Sequence, residues 1–451
     1  MPDAIKHVVV LMLENRSFDQ MLGCMTSVRS GIDGVDPAHP LCNPDLPSTN
    51  PPICQAPSVA RVINDDPNHD LPNVLRQIAN GCQGFVTDFA QTFPQSASPE
   101  RAEIVGYYPH GFLSVLHQLA DSFTVCDQWF SSLPGPTWPN RFFVHSGTCL
   151  GHVTMPQGIW HPNLHIYDQV TVYDRLQEQR ISWKIYYGDV PQSLVLTRLW
   201  LHPFSFDQMS AFFSDAAGKE SQFPQYSFIE PTYFGDSQND QHPPTDVMKG
   251  EVLLAQVYNA LRSNEALWNT TLLIVLYDEH GGFADHVYPT ATVAPDNHTQ
   301  EFTFNQFGVR VPAVLISPWF DSGEVHTTFD HTSLLKYVSN KWSLGPLGLR
   351  TAGANSFVVN RMTPRNDAPA SIPVPQLLAA AARVQQRPLN PNQAALVAFS
   401  QFLETKLSKV ESPTEVARRS LAAANGLPIE QGAIASERVS LFLQYLRKGL
   451  I

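Results

Sequence analysis

The run Asp278-Glu279-His280-Gly281-Gly282-Phe283-Ala284-Asp285-His286 gathers three carboxylates and two imidazoles into nine residues. Such a concentration is costly to hold in a folded chain unless a cation or a reacting group balances it. The glycine pair in its middle lets backbone approach a ligand closely. Immediately before it, Thr271–Tyr277 is almost wholly apolar and rich in β-branched and aromatic types. That composition predicts a strand buried on both faces, as in a parallel sheet covered by helices. Polar residues directly after such a strand stand where an open α/β sheet places its site. His7–Leu13 follows the same pattern, an apolar run that ends at Glu14-Asn15-Arg16-Ser17-Phe18-Asp19. Alone, Glu14 and Asn15 read as a helix cap. Beside Asp278 and Glu279 they become four hard oxygen donors at two strand ends, a set that suits a divalent cation.

Two further loops have chemical character. Ser131–Arg141, SSLPGPTWPNR, is dense in turn formers and holds Thr137 between prolines, where a hydroxyl can be rigid and exposed. His242–Asp246 sets a histidine before two prolines. The elements that carry these loops alternate. Apolar residues at helical spacing mark Gly111–Ser122, Thr171–Gln179 and Val247–Arg262. Short apolar runs mark strands at Phe123–Cys126, Ile181–Tyr187, Tyr226–Ile229 and Val309–Ile316, and Phe142–Ser146 begins another helix. Buried strands alternating with helices predict an α/β fold with a mainly parallel sheet flanked by helices. Residues 31–70, dense in Pro, Asn and Asp, read as a long surface excursion. Around Thr363–Pro375 the composition turns to Pro, Ala and Asn, which predicts a boundary. Residues 1–362 are then the main domain, and residues 363–451 a Pro-rich linker with amphipathic helices at Ala394–Leu407 and Glu437–Leu446.

The chain is 43% hydrophobic and 16% charged over 451 residues, enough for an ample core. Its net charge of −12 argues against a nucleic-acid partner. The charge is uneven, with 11 Lys/Arg against 6 Asp/Glu in residues 361–451 and 18 against 35 in residues 1–360. An acidic body can still bind phosphate esters where a cation reverses the local field. No stretch approaches the roughly 20 apolar residues of a membrane span. MPDAIKHVVVLMLENRS has neither a basic leader nor a small-residue cleavage site, so the expectation is a soluble chain, cytoplasmic or secreted by a leaderless route. The six cysteines form no CxxC pair, which excludes zinc-finger spacing. Cys42 and Cys54 bracket a Pro-rich loop and are either a disulfide, in an oxidising compartment, or free thiols.

Four blocks carry a resemblance: HVVVLMLENRSFDQMLG, LADSFTVCDQWFSSLPGPTWPNRFFVHSGT, NDQHPPTDVMKGEVLLAQVYNAL and LLIVLYDEHGGFADHV. In this order they resemble the signature blocks of the bacterial and plant phospholipase C/acid phosphatase family of phosphoesterases. A weaker block, FDHTSLLKYVSNKWSLGPLGLR, extends the likeness to about residue 360, and the tail lies outside it. The resemblance implies an alkaline-phosphatase-like three-layer α/β sandwich with a mainly parallel central sheet, here followed by a C-terminal helical extension.

It also implies roles. Glu14, Asn15, Asp278 and Glu279 match the family's metal-binding positions, and Thr137 the nucleophile position, itself a metal ligand. The divalent ion would be calcium, magnesium, manganese or zinc. Coordination lowers a hydroxyl's pKa enough for attack on phosphorus, giving a phosphothreonine intermediate. His242, His286 and His280 would bind phosphoryl oxygens or protonate the leaving alcohol, with Asp285 orienting a histidine. His117, Asp127, Asn140, Arg141 and His331 are expected along the substrate. His39, His145, His161 and His202 read as structural or surface residues. The implied activity is phospholipid cleavage to diacylglycerol and a phosphorylated headgroup. A broad acid phosphatase is the alternative, and a non-catalytic lipid or phosphate binder is a reading of another class. Trp129, Phe130, Trp138, Phe142 and Phe143 are either an apolar entrance for lipid or core. The basic tail helices either meet an anionic membrane surface or pack on the body.

Overall fold

In the computed structural model, which describes residues 4–156, 167–377 and 388–451, the two apolar runs are neighbouring parallel strands. They pair in register from His7 with Thr271 to Leu13 with Tyr277, and every residue of both is buried. Because the strands end at the same level, Glu14 and Asp278 emerge side by side, and the Asp278 amide donates to the Leu13 carbonyl at 3.2 Å.

Around this pair the described residues form an eight-stranded sheet. On one side of His7–Leu13 lie Tyr226–Glu230, Trp183–Tyr187 and Phe206–Gln208, each parallel to its neighbour. On the other side of Thr271–Tyr277 lie Ala313–Ile316, Thr124–Cys126 and Gly323–Val325. Ala313–Ile316 alone runs against its neighbours. It is shorter than the expected Val309–Ile316 because Pro312 has no N–H to give a ladder, so Val309–Pro312 is left free to join loops instead. The sheet is covered by helices, among them Ser114–Ser122 packed on Val247–Arg262, and Thr137–Ser146 packed on His331–Trp342. This is the expected three-layer α/β arrangement.

Three further elements depart from expectation. The stretch 137–141 is not loop: the helix begins at Thr137, with Pro136 as its N-cap. Pro139 falls in the first turn, where an amide has no intrahelical acceptor and a missing N–H costs nothing. The 31–70 segment is not a surface excursion throughout, since Asn43, Asp45, Gln55 and His69 are buried. Cys42 and Cys54 form a disulfide across a short antiparallel pair. This pins Asn43, whose Oδ1 accepts from the amides of Phe85 and Val86 at 2.8 and 3.3 Å and so caps the helix Phe85–Thr92. That helix builds a second, smaller core from Ile63, Val74, Phe85, Phe89, Ile104 and Phe283. The C-terminal helices are also longer than expected, Pro391–Leu407 and Pro428–Arg447, with Pro413–Asn425 between them. Their apolar residues Leu396, Phe399, Leu403, Val439 and Phe442 belong to the same continuous core as the sheet. The Pro-rich stretch before them has no helix or strand over residues 363–377 and is strapped to Val247–Arg262, where Tyr258 Oη donates to the Pro369 carbonyl. His161 lies outside the described residues, and no helix among the described residues is long and apolar enough to cross a membrane.

Removing the Asn43 cap with Asn43→Ala strips acceptors from two helix amides and is expected to cost about 1–2 kcal/mol. Urea unfolding checks this; an unchanged midpoint would mean that the cap carries no stability.

Candidate active site

The loops after the two central strands run against each other. The Arg16 amide donates to the Glu279 carbonyl at 3.1 Å, and Ser17 Oγ donates to the Ala284 carbonyl at 2.7 Å. Their approach is close enough that a Cβ on Gly281 would sit 2.4 Å from the Asn15 carbonyl oxygen. Gly281 has φ 63° and Asn15 has φ 58°, both left-handed. Glycine enters that region without strain, and asparagine is among the few other residues that tolerate it.

Glu14, Asn15, Asp278 and Glu279 are brought together here and are fully buried. Asp278 Oδ1 accepts from the amides of Asn15 and Glu279 at 3.1 and 2.7 Å, while Oδ2 accepts from Arg141 Nε at 2.9 Å. Arg141 Nη2 lies 3.2 Å from Glu14 Oε1. Burial holds the Glu14 and Glu279 carboxyls well above the ordinary range, and Arg141 only partly offsets this. Three carboxyl groups face one guanidinium, so ionising all three would leave an excess of negative charge that a divalent cation would balance. The donor set fits such an ion on a further observation. Asn15 Oδ1 and Glu279 Oε1 are buried and have no hydrogen-bond partner among the described residues.

The same pocket takes residues that sequence reasoning passed over. His69 donates from Nδ1 to the Pro67 carbonyl, and its Nε2 lies 3.3 Å from Asn15 Nδ2 and 3.7 Å from Glu279 Oε1. Its ring meets that of His242 edge to face at 6.0 Å. His242 Nε2 is 3.7 Å from Asp66 Oδ2, and neither His242 Nε2 nor Asp66 Oδ1 has a hydrogen-bond partner among the described residues. Burial lowers His242 to about 3 and raises Asp66 to about 7. The signal for Asp66 and His69 was the polar cluster Asn64–Asp70, NDDPNHD, which a reading of residues 31–70 as surface discards.

Thr137 opens its helix and is buried. Thr137 lies one helical turn before Arg141, the residue that meets Glu14 and Asp278. Arg141 Nη1 has no hydrogen-bond partner among the described residues and leaves a donor corner for an anion, while Nη2 already faces Glu14. Asn140 is committed elsewhere: it accepts from the Leu133 amide and donates to the Gly135 carbonyl, stapling the loop before Thr137. His331 Nε2 donates to the Asp278 carbonyl at 2.6 Å and so holds that residue from behind. His280 turns away toward the smaller core, with Nε2 on Gln77 Oε1 and its ring against Phe85. His117 is spent on scaffold, accepting from the Gly111 amide and donating to the Met21 carbonyl. Those bonds leave no ring nitrogen of His117 for substrate. The five aromatics Trp129, Phe130, Trp138, Phe142 and Phe143 are buried, so they build core and not an apolar entrance.

A second polar cluster lies behind the first. Asp19, Asp285 and His286 come close enough to share a cation, yet Arg310 already stands among them. Its Nε donates to Asp285 at 2.8 Å and its Nη2 to Asp19 at 3.1 Å. His286 uses both ring nitrogens, Nδ1 on Asp19 at 2.8 Å and Nε2 on Asp33 at 3.0 Å. Burial opposes its charge, but these two bonds raise the imidazole to about 10. Asp127, expected along the substrate, accepts from the Asp33 amide and pairs with His326 at the edge of this network. With Arg310 and an imidazolium present, two of the three charges on Asp19, Asp33 and Asp285 are balanced from within. His286 would have to release Asp19 or Asp33 to meet a phosphoryl oxygen.

The Phosphoesterase family model matches residues 5–345. Non-specific phospholipase C6 of Arabidopsis thaliana is 37% identical in an alignment of 404 positions that covers 82% of this chain and 75% of that protein. Non-specific phospholipase C3 of the same plant is 34% identical, covering 82% and 76%. Phospholipase C B of Mycobacterium tuberculosis is 30% identical, covering 83% and 81%. Among solved structures, lipoteichoic acid synthase LtaP of Listeria monocytogenes overlaps 78% of this chain and 77% of its own, with 9% identity and a TM-score of 0.37.

The imidazolium of His286 makes a prediction about pH. Its folded pKa lies above the unfolded 6.5, so the stability it contributes is complete below pH 6.5 and is lost as pH rises toward 10. His286→Asn is therefore expected to lower the thermal midpoint most below pH 6.5, with the gap to wild type closing toward pH 10. A gap independent of pH would show that the imidazole is neutral in the folded protein.

Proposed function

The chain belongs to the phosphoesterase family and is a hydrolase of phosphoric ester bonds, and from that premise we propose a metal-dependent enzyme of phospholipase C type. The observation that carries this is the convergence, among the described residues, of polar atoms without a hydrogen-bond partner in one buried pocket: Asn15 Oδ1, Glu279 Oε1, Asp66 Oδ1, His242 Nε2 and Arg141 Nη1. Buried polar atoms are normally satisfied, and a cluster of exceptions marks a place for a ligand.

Glu14, Asn15, Asp278 and Glu279, with the Thr137 hydroxyl, are the residues that would hold a divalent cation. When bound, such an ion supplies charge that lowers the hydroxyl's pKa and offsets the anionic phosphate. Thr137 Oγ forms the new bond to phosphorus, and the bond from phosphorus to the glycerol oxygen breaks. Diacylglycerol leaves and a covalent threonyl phosphoester remains. Water then splits the Thr137–phosphorus link, releasing the phosphorylated headgroup and restoring the hydroxyl. The phosphate sits at the N-terminal end of the helix Thr137–Ser146, where the helix dipole favours an anion, and the free Nη1 of Arg141 takes one of its oxygens. The neighbouring His242 and Asp66 are the pair suited to pass a proton to the departing alcohol, one offering a bare nitrogen and the other a carboxyl that burial holds at about 7. His331 and Asn140 position Asp278 and the Thr137 loop. The Asp19–His286–Asp285–Arg310 network braces the two ligand loops from behind. The names of the relatives favour a phospholipid substrate. The burial of the five aromatics near Thr137 favours the second reading, hydrolysis of soluble phosphomonoesters, because it removes the apolar entrance.

Release of phosphocholine from phosphatidylcholine vesicles and hydrolysis of p-nitrophenyl phosphate, each with and without chelator, separate these readings. Lipid turnover that Thr137→Ala lowers by about 10³-fold or more, and that chelator abolishes, is the expected result. Monoester turnover alone would move the enzyme to the second reading with the same nucleophile. Activity that survives in Thr137→Ala would overturn the mechanism.

A further inference from the structure

The family match ends at residue 345, yet a residue beyond it reaches the centre of the pocket. Asn392 stands in the first turn of the helix Pro391–Leu407 and is 1% exposed. Its Nδ2 donates to both oxygens of Glu14, at 2.9 and 3.1 Å. Its Oδ1 accepts from Trp138 Nε1 at 2.9 Å and from Gln192 Nε2 at 3.3 Å. The orientation of the amide is set by its partners, because a carboxylate only accepts and an indole N–H only donates. Turning the amide over would break every one of these bonds.

The two main partners are the neighbours of the chemistry. Glu14 is one of the proposed cation ligands, and Trp138 directly follows Thr137 on its helix. One carboxamide therefore spans the element that carries the ligands and the element that carries the nucleophile. The turn that presents it is rigid: Asn390 Oδ1 accepts from the Gln393 amide, and Gln393 Oε1 accepts from the Asn390 amide. Gln393 Nε2 then donates to the Tyr233 carbonyl at 2.6 Å, and the Tyr233 ring lies against the Arg141 guanidinium at 5.8 Å. The N-terminal end of this helix also brings partial positive charge to a carboxylate that has lost its water. Simple packing of the tail would be met by an apolar side chain. A buried amide with both ends engaged instead specifies a geometry.

We propose that Asn392 is a positioning residue of the active site, holding the Glu14 carboxylate and the Trp138 indole at a fixed spacing, so that the C-terminal helices complete the site. This rests on the reading of Glu14 as a cation ligand. Groups that orient a ligand's unbound side are typically worth about 10–100-fold in metal affinity or activity.

The test compares full-length wild type, Asn392→Ala and Asn392→Asp. Asn392→Asp keeps the shape and the acceptors for Trp138 and Gln192 but sets an anion against Glu14, so it reports even where Asn392→Ala does not fold. Chelator-stripped protein is titrated with manganese ion by calorimetry, its thermal midpoint is recorded, and kcat and KM are measured on the substrate that wild type turns over. In both variants kcat is expected to fall and the manganese Kd to rise by about 10–100-fold, with KM nearly unchanged. Manganese affinity and kcat that stay at wild-type values, with only the thermal midpoint lowered, would overturn the proposal and leave Asn392 as a packing residue. Wild type that neither binds manganese nor loses activity on stripping would overturn the cation reading of Glu14 as well, an outcome distinct from the first.

Discussion

Glu14, Asp278 and Glu279 have been taken wholly out of water, and much of the surrounding structure is the means of keeping them there. The effective cost of burying one such charge is on the order of several kcal/mol. Two backbone amides, the Arg141 guanidinium and the Asn392 amide offset part of that cost. They come from four separate parts of the chain, so the pocket exists only when the sheet, the Thr137 helix and the C-terminal helices have all assembled. The remaining negative charge and the unpartnered oxygens are what the proposed divalent cation would satisfy.

The two clusters of acidic groups, built on the loops that follow the two central strands, look alike in composition and differ in balance. Around Asp19, Asp33 and Asp285, Arg310 and a protonated His286 close nearly every bond. Around Glu14, Asp278 and Glu279, one guanidinium faces three carboxylates, and several polar atoms are left open. The first arrangement braces loops, while the second keeps open the polar atoms on which the proposed cation site rests. The 31–70 segment serves both. Gln55, next to the Cys42–Cys54 bridge, donates to Asp19 at 2.7 Å, and farther along His69 enters the open pocket.

Parallel pairing gives the site its precision. His7–Leu13 and Thr271–Tyr277 end level because their register matches residue for residue, and a slip of one position would turn every side chain to the opposite face. Left-handed backbone at Asn15 and Gly281 then brings the two following loops into contact. Arg16 adds a strut, donating through Nε and Nη2 to the Gln241 carbonyl beside His242.

What the sequence by itself determined is local. Apolar runs followed by carboxylates marked the two central strands and four of the polar residues at their ends, because hydrophobic periodicity and glycine placement are readable without knowing what packs where. The helix Val247–Arg262 was legible to the residue for the same reason. The start of the helix at Thr137 was not, because prolines in its first turn carry the same signal as prolines in a loop. Only the tertiary structure decided which polar residues share a pocket. His280 and His286 stand close in sequence to Asp278 and Glu279, yet one turns toward the smaller core and the other into a closed ion network. Asp66, His69 and Asn392 are far away in sequence and arrive at the pocket from a Pro-rich segment and from the tail. The physical reason is that a buried charge selects partners by geometry and balance in three dimensions, and neither quantity is written in the spacing of residues along the chain.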